Sequence, residues 1–347
     1  MEFESKSKYS KLKTLSNLEK GIIVVSLILL ATIIPIIIIS SSNNSSVLND
    51  NQQNTLFNLE KIDNHPLYIM NYSGDYGFEN YLKTGINYLS QDFLDIDWAC
   101  TCFATLNNET DMLFGRNFDW SHNPILVLFT DPSYGYRSIS IIDLGLLDLY
   151  NDYQISHNPQ VLLRAPYFPL DGMNEHGLTI ACMAISDAEN VNDPEKKTLA
   201  SLDFIRLALD YAKDVEEACD LWEDYNVYFP PGPDLHYLIA DAGGNSAVIE
   251  WVDGEMKILR NENLWQVSTN FVIYGSTENE QQNCIRYITC ESFLNEKKGN
   301  INESEALNLL GMVSQSITQW SAVYNREKRT VSIVLERNFD FQFEFTL

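Results

Sequence analysis

Trp98-Ala99-Cys100-Thr101-Cys102-Phe103, followed by Gly115-Arg116-Asn117-Phe118-Asp119-Trp120, is the stretch that decides the fold. Two apolar runs begin at Cys100 and Met112, with the polar turn Asn107-Asn108-Glu109-Thr110-Asp111 between them. Runs joined by such a turn are expected to form a β-hairpin. A hairpin returns its far ends to one another, so Cys100 and the Arg116/Asp119 pair are expected at a single site. A thiol beside a guanidinium and a carboxylate has the makings of an activated nucleophile.

Working outward, residues 100–106, 112–118, 125–130, 138–144 and 178–184 read as strands. Residues 201–213 carry apolar side chains at helical spacing, and 214–225 is expected as a second helix with Asp214 as its N-cap. Residues 236–241 and 246–252 flank Ala242-Gly243-Gly244-Asn245 and read as a hairpin. A helix over 306–314 and strands at 321–324, 330–335 and 341–345 close the chain. Strand groups separated by helix pairs predict an α+β fold of two antiparallel sheets covered by helices on the outside.

The N-terminal part of the 347-residue chain is of another kind. Gly21 to Ser40 (GIIVVSLILLATIIPIIIIS) carries no charge. At a rise of ~1.5 Å per residue it would reach roughly 30 Å, the thickness of a bilayer core. Pro35 would break a soluble helix, but lipid-spanning helices tolerate it. Lys6, Lys8, Lys11, Lys13 and Lys20 precede this stretch, which keeps residues 1–20 cytoplasmic by the positive-inside rule and sends the rest out. A cleaved signal peptide is the competing reading, but no small-x-small site follows. Residues 41–54 read as a flexible Ser/Asn-rich stalk. The expectation is thus a single-pass membrane protein with an extracellular domain.

The net charge of −25, from 23 basic and 48 acidic residues, argues against nucleic acid as a partner. The cysteines at 100, 102, 182, 219, 284 and 290 are too scattered for a disulfide scaffold, although Cys284 and Cys290 are open to pairing. Cys100-x-Cys102 has no second ligand pair, and His65, His122, His157, His176 and His236 lie apart in sequence, so neither a metal nor a cofactor is expected.

Several motifs stand in a fixed order: Cys100-Thr101 with Gly115-Arg116-Asn117-x-Asp119, then Asp171-Gly172-Met173-Asn174-Glu175-His176-Gly177-Leu178, Leu235-His236-Tyr237-Leu238-Ile239-Ala240-Asp241 and Ser268-Thr269-Asn270-Phe271. Arg286-Tyr287 and Thr318-Gln319-Trp320-Ser321 add weaker support. From about residue 66 onward the chain resembles the choloylglycine hydrolase and acid-amidase group of N-terminal-nucleophile hydrolases, with a closer likeness to the branch that includes isopenicillin-N acyltransferase. The resemblance implies a four-layer αββα sandwich. It implies that Cys100 becomes the first residue of a mature chain 100–347 through a cut at Ala99–Cys100, with everything before it, including residues 55–99 packed on the catalytic domain, a propeptide. The freed α-amine, of ordinary pKa about 7.7–8.0, would serve the thiol as base, so no histidine is required.

The same resemblance gives Arg116 and Asp119 the task of orienting the thiol and amine. It gives Asn270 and the backbone N–H of Ala184 the oxyanion hole, and Arg286 a place in the cluster. Bile-salt hydrolases have asparagine at the position of Ala184, so bile-salt specificity is in doubt. Cys102 shares a strand face with Cys100, but the spacing to Arg116 and the Cys-Thr pair favour Cys100 as the nucleophile. His176 and Cys182 read as structural. The implied reaction is hydrolysis of a small N-acyl amide, with transfer of the acyl group to an amine acceptor as the alternative and an idle membrane-tethered binding domain as the rival. Tyr134, Tyr136, Tyr167 and Phe168 either line an acyl pocket or simply pack.

Overall fold

The computed structural model describes residues 48–85, 99–107, 111–186, 188–229 and 232–347. In chain order its strands are β1 (Glu60–Asp63), β2 (Leu67–Ser73), β3 (Ala99–Thr105), β4 (Leu113–Asp119), β5 (Ile125–Asp131), β6 (Ser138–Asp143), β7 (Asp171–Asn174), β8 (Thr179–Ala184), β9 (Lys197–Ala200), β10 (Tyr225–Tyr228), β11 (Leu235–Ala240), β12 (Ser246–Val252), β13 (Glu255–Arg260), β14 (Trp265–Ser268), β15 (Thr318–Asn325), β16 (Thr330–Leu335) and β17 (Phe343–Thr346). One sheet runs β1-β2-β5-β6-β7-β8-β11-β12-β13 and a second β14-β3-β4-β15-β16-β17, while β9 and β10 form a small parallel pair. Within the two large sheets only β2 and β5 pair in parallel.

The expected hairpin is β3 with β4, in the register Cys100↔Phe118, Cys102↔Arg116 and Phe103↔Gly115. Successive side chains on a strand face opposite ways. Cys100, Cys102 and Ala104 therefore join the main core, whereas Phe103 joins a second core with Leu294, Leu309 and Leu310 of the helices Ile285–Lys297 and Glu303–Met312. Gly115 permits this packing: a Cβ there would come within 2.3 Å of the Phe103 ring. β3 also touches β8 and β11 of the other sheet, and the helix Asp203–Tyr211 lies against β7 and β8. β8 and β11 are buried along their whole length. A strand covered on both faces reads as a continuous apolar run instead of alternating.

Local chemistry fixes several boundaries. The Asp214 side chain accepts the Glu217 N–H at 2.9 Å and caps the helix Val215–Glu223. That helix ends before Tyr225, earlier than the sequence predicts, because Tyr225–Tyr228 pairs with Lys197–Ala200 as β10. All six cysteines are free, so Cys284 and Cys290 do not pair.

The tail 1–20, the apolar stretch 21–40 and residues 41–47 lie outside the described residues. Among the described residues, no helix is long and apolar enough to cross a membrane. The flexible stalk expected through residue 54 gives way at Asp50 to a helix, Asp50–Phe57. Its Thr55 is buried and its hydroxyl accepts the Ser73 N–H at 2.9 Å, which ties this polar segment to the end of β2. Within residues 55–99, β2 is an internal strand of the larger sheet, between β1 and β5.

Candidate active site

Cys100 lies at the start of β3 with no solvent exposure. Its backbone N–H donates to Asn270 Oδ1 at 2.6 Å. Arg286 Nη1 donates to the Cys100 carbonyl and, at 2.9 Å, to Thr101 Oγ1, while its Nη2 donates to Asn270 Oδ1 at 2.9 Å. Two donors converging on Oδ1 fix the amide orientation of Asn270. Its Nδ2 accordingly donates to the Ala184 carbonyl at 2.7 Å. Cys100, Asn270, Ala184 and Arg286 thus form one hydrogen-bonded unit. Ala184 enters that unit through its carbonyl, whereas the resemblance assigns its N–H.

Arg116 is fully buried beside this unit. Its Nε donates to Asp171 Oδ2 at 3.1 Å, and its Nη1 to the Cys182 carbonyl at 2.8 Å and to Cys102 Sγ at 3.7 Å. Asp171 also accepts from Trp320 Nε1 at 3.1 Å and from the Tyr324 hydroxyl. Burial raises the Asp171 carboxyl above its ordinary value, against the pull of Arg116, Tyr324 and Trp320. Three donors aimed at its two oxygens require an acceptor, so the pair is read as ionised. Asp119, across the ladder from Ala99, accepts from Gln315 Nε2 at 2.7 Å and from the Thr318 hydroxyl. Burial raises its carboxyl, while those two donors and both arginines lower it.

Burial also pushes the Cys100 thiol above its ordinary value, against the opposing charges of Arg116 and Arg286. Cys102 is pushed up to about 12, by burial first. In this form Cys100 is a neutral thiol whose nitrogen is an amide, and an amide nitrogen is no base.

The turn that carries Asn270 is braced from beneath. His236 on β11 spans Glu250 Oε1 (2.7 Å from Nδ1) and the Thr269 carbonyl (2.6 Å from Nε2). Glu250 on β12 accepts the N–H groups of Ile273 and Tyr274, each at 2.8 Å. Burial works against the Glu250 carboxylate, but His236 and the two amides outweigh it and hold the carboxyl below its ordinary value. Sequence reasoning assigned no role to Asp171, Glu250, Gln315 or Thr318. The usable signal for Asp171 was the need of a buried arginine for a counterion.

Tyr167 sits edge-on to Tyr76, Phe78 and Tyr81, Tyr134 stacks on Tyr211, Tyr136 meets the His176 ring and Phe168 lies under the Arg164 guanidinium, so all four aromatics considered for an acyl pocket are engaged in packing. A pocket of about 350 Å³ is lined by His65 and Glu336, among others, and does not include Cys100.

Residues 100–311 match the family of linear amide C–N hydrolases, choloylglycine hydrolase family. The chain belongs to this family. The conjugated bile acid hydrolase of Clostridium perfringens shares the fold of this amide-hydrolase family member at a TM-score of 0.53 and 16% identity, covering 72% of this chain and 92% of that one. The penicillin V acylase of Agrobacterium tumefaciens aligns with a TM-score of 0.49 at 18% identity, over 68% of this chain and 83% of its own. An uncharacterised protein of Paramecium bursaria Chlorella virus 1 is 32% identical over 101 residues, 26% of this chain and 36% of the relative, so the match spans about a third of that relative's length. The sheet-rich α+β architecture agrees with that of N-terminal-nucleophile hydrolases.

Proposed function

We propose that this protein hydrolyses linear N-acyl amides through Cys100, after the Ala99–Cys100 bond has been opened. One observation carries the reading: the nitrogen and the carbonyl of Cys100 are both already held, by Asn270 and Arg286, at the head of β3. Those are the two backbone groups that an N-terminal nucleophile needs fixed. In the intact chain the Cys100 thiol attacks the Ala99 carbonyl, the acyl group passes from nitrogen to sulfur, and water hydrolyses the thioester. Ala99 leaves as a carboxylate and the Cys100 nitrogen becomes a free amine.

That amine stays where Asn270 Oδ1 held the amide. It takes the thiol proton, and Arg116 and Arg286 favour the resulting thiolate. The sulfur then attacks the substrate carbonyl, the ammonium returns its proton to the leaving amine, and water releases the acid from the thioester. For Asn270 Nδ2 to serve the oxyanion it must exchange the Ala184 carbonyl for the developing alkoxide. Such a donor lowers the barrier by about 3 kcal/mol. Arg116 and Asp119 orient the cluster from below. No observation favours an amine acceptor over water, so acyl transfer remains the alternative outcome of the test.

This reading takes the two sheets and their flanking helices as the four layers αββα. It also takes residues 21–40 as a single membrane anchor, with the catalytic domain outside the cell and residues 55–99 retained on it after the cut. N-terminal sequencing of the active enzyme is expected to read Cys-Thr-Cys-Phe, and Cys100→Ala is expected to abolish both the cut and the turnover. Incubation of a panel of N-acyl amides with excess acceptor amine separates acid from transferred product. Full activity from an uncut chain, or from Cys100→Ala, refutes the reading.

A further inference from the structure

Three side chains far apart in sequence converge at the edge of the molecule. His65 lies in the turn between β1 and β2, His122 between β4 and β5, and Glu336 directly after β16. Glu336 Oε1 is 3.4 Å from His65 Nδ1 and 3.1 Å from His122 Nδ1. One ligand atom from each of the three lies within 4.8 Å of the others. The imidazole rings meet edge to face at 4.6 Å.

The His65 side chain is only 3% exposed, yet among the described residues neither ring nitrogen makes an aligned hydrogen bond, and Nδ1 meets Glu336 Oε1 only at ion-pair distance. Buried polar atoms without partners are rare, and each calls for an explanation such as an ion. His122 and Glu336 are 55% and 61% exposed and can adjust. The pocket of about 350 Å³ lined by Asp63, His65, Leu335, Glu336, Phe341 and Phe343 gives an approach path.

We propose that His65, His122 and Glu336 bind one divalent transition-metal ion, Zn²⁺ by the chemistry of the donors. Two imidazole nitrogens and one carboxylate oxygen are a zinc donor set, whereas Ca²⁺ and Mg²⁺ take oxygen. A tetrahedral ion about 2.0–2.1 Å from each donor sets the donors roughly 3.4 Å apart. The two separations from Glu336, 3.4 and 3.1 Å, are close to this value, and the exposed His122 ring is free to turn toward His65, whose donor lies within 4.8 Å. The fourth position faces solvent and takes water. The ion ties the turn that leads into β2 to the ends of β4 and β16, and so links the two sheets.

The test uses the full-length chain, purified without a histidine tag and stripped with chelator. Added Zn²⁺ is expected to bind at one equivalent per chain by mass spectrometry of the metal. Co²⁺ is expected to give the visible bands of a tetrahedral nitrogen/oxygen site. His122→Ala and Glu336→Gln change exposed side chains, so folding is expected to persist by circular dichroism. Each should weaken Zn²⁺ binding by more than about 100-fold. No stoichiometric metal in the parent chain, or unchanged affinity in either variant, overturns the proposal.

Discussion

Replacing Asp171 by asparagine isolates the charge that supports Arg116. Both side chains of the pair have no solvent exposure, and Nε and Oδ2 are 3.1 Å apart. Asparagine keeps the volume. Its oxygen can still accept from Arg116 and Trp320, and its amide can donate to the Tyr324 hydroxyl, so chiefly the negative charge is lost. Removing one member of a buried pair costs about 3–5 kcal/mol, because the other charge stays buried without compensation. Against a total stability of ~5–15 kcal/mol this is a large fraction. Denaturant unfolding of the full-length chain, at unchanged slope, measures the loss. Arg116→Met removes the orphaned charge, so the double variant is expected to lose no more than either single one, a coupling of at least about 2 kcal/mol. A loss under about 1 kcal/mol for Asp171→Asn, or strictly additive losses, refutes the reasoning.

Glu250→Gln is expected to loosen the turn that carries Asn270 and to lower amide turnover by roughly 10–100-fold, with KM changed less. Because the folded-state Glu250 carboxyl lies below its ordinary value of 4.5, its contribution to stability is fully present above that value and is lost only as the pH falls through the folded-state value. A Glu250→Gln enzyme with parental kcat counts against the brace. Asp203, which accepts the Ala200 N–H at 2.9 Å and the Tyr81 hydroxyl at 2.5 Å, behaves in the opposite sense. Burial pushes its carboxyl from 3.8 up to about 7, so the folded chain binds more protons than the unfolded one between those values. Stability from this position is full at acid pH and declines as the pH rises through about 7. Thermal unfolding across that range should show a shallower decline for Asp203→Asn; an identical pH profile argues against a protonated Asp203.

The β3–β4 hairpin was legible in the sequence because its pattern is local: two apolar runs and a polar turn. The capped helix at Asp214 was legible for the same reason. Asp50–Asn54 reads as stalk because every residue there is polar, and the contact that ties Thr55 to β2 comes from the distant Ser73. Tyr225 reads as the last residue of the helix that Asp214 caps, until Lys197–Ala200 is there to pair with Tyr225–Tyr228 as a strand. At the site, Cys100, Asn270 and Arg286 were named from motif order and the structure joins them directly. Asp171 stands in a motif, but nothing local ties it to an arginine 55 residues away. His65 and His122 are isolated along the chain and neighbours only in space. What stayed illegible is set by long-range pairing, which neither periodicity nor composition encodes.

The parallel seat of β2 beside β5 bears on how this protein ages. In the uncut chain, folding is a first-order event. If the Ala99–Cys100 bond opens as proposed, a strand in the interior of a sheet then belongs to a separate polypeptide, and recovery from unfolding becomes a second-order encounter. Dilution would then lower the melting temperature of the cut enzyme but not of its precursor, and a molecule that unfolds after the cut would seldom find its way back.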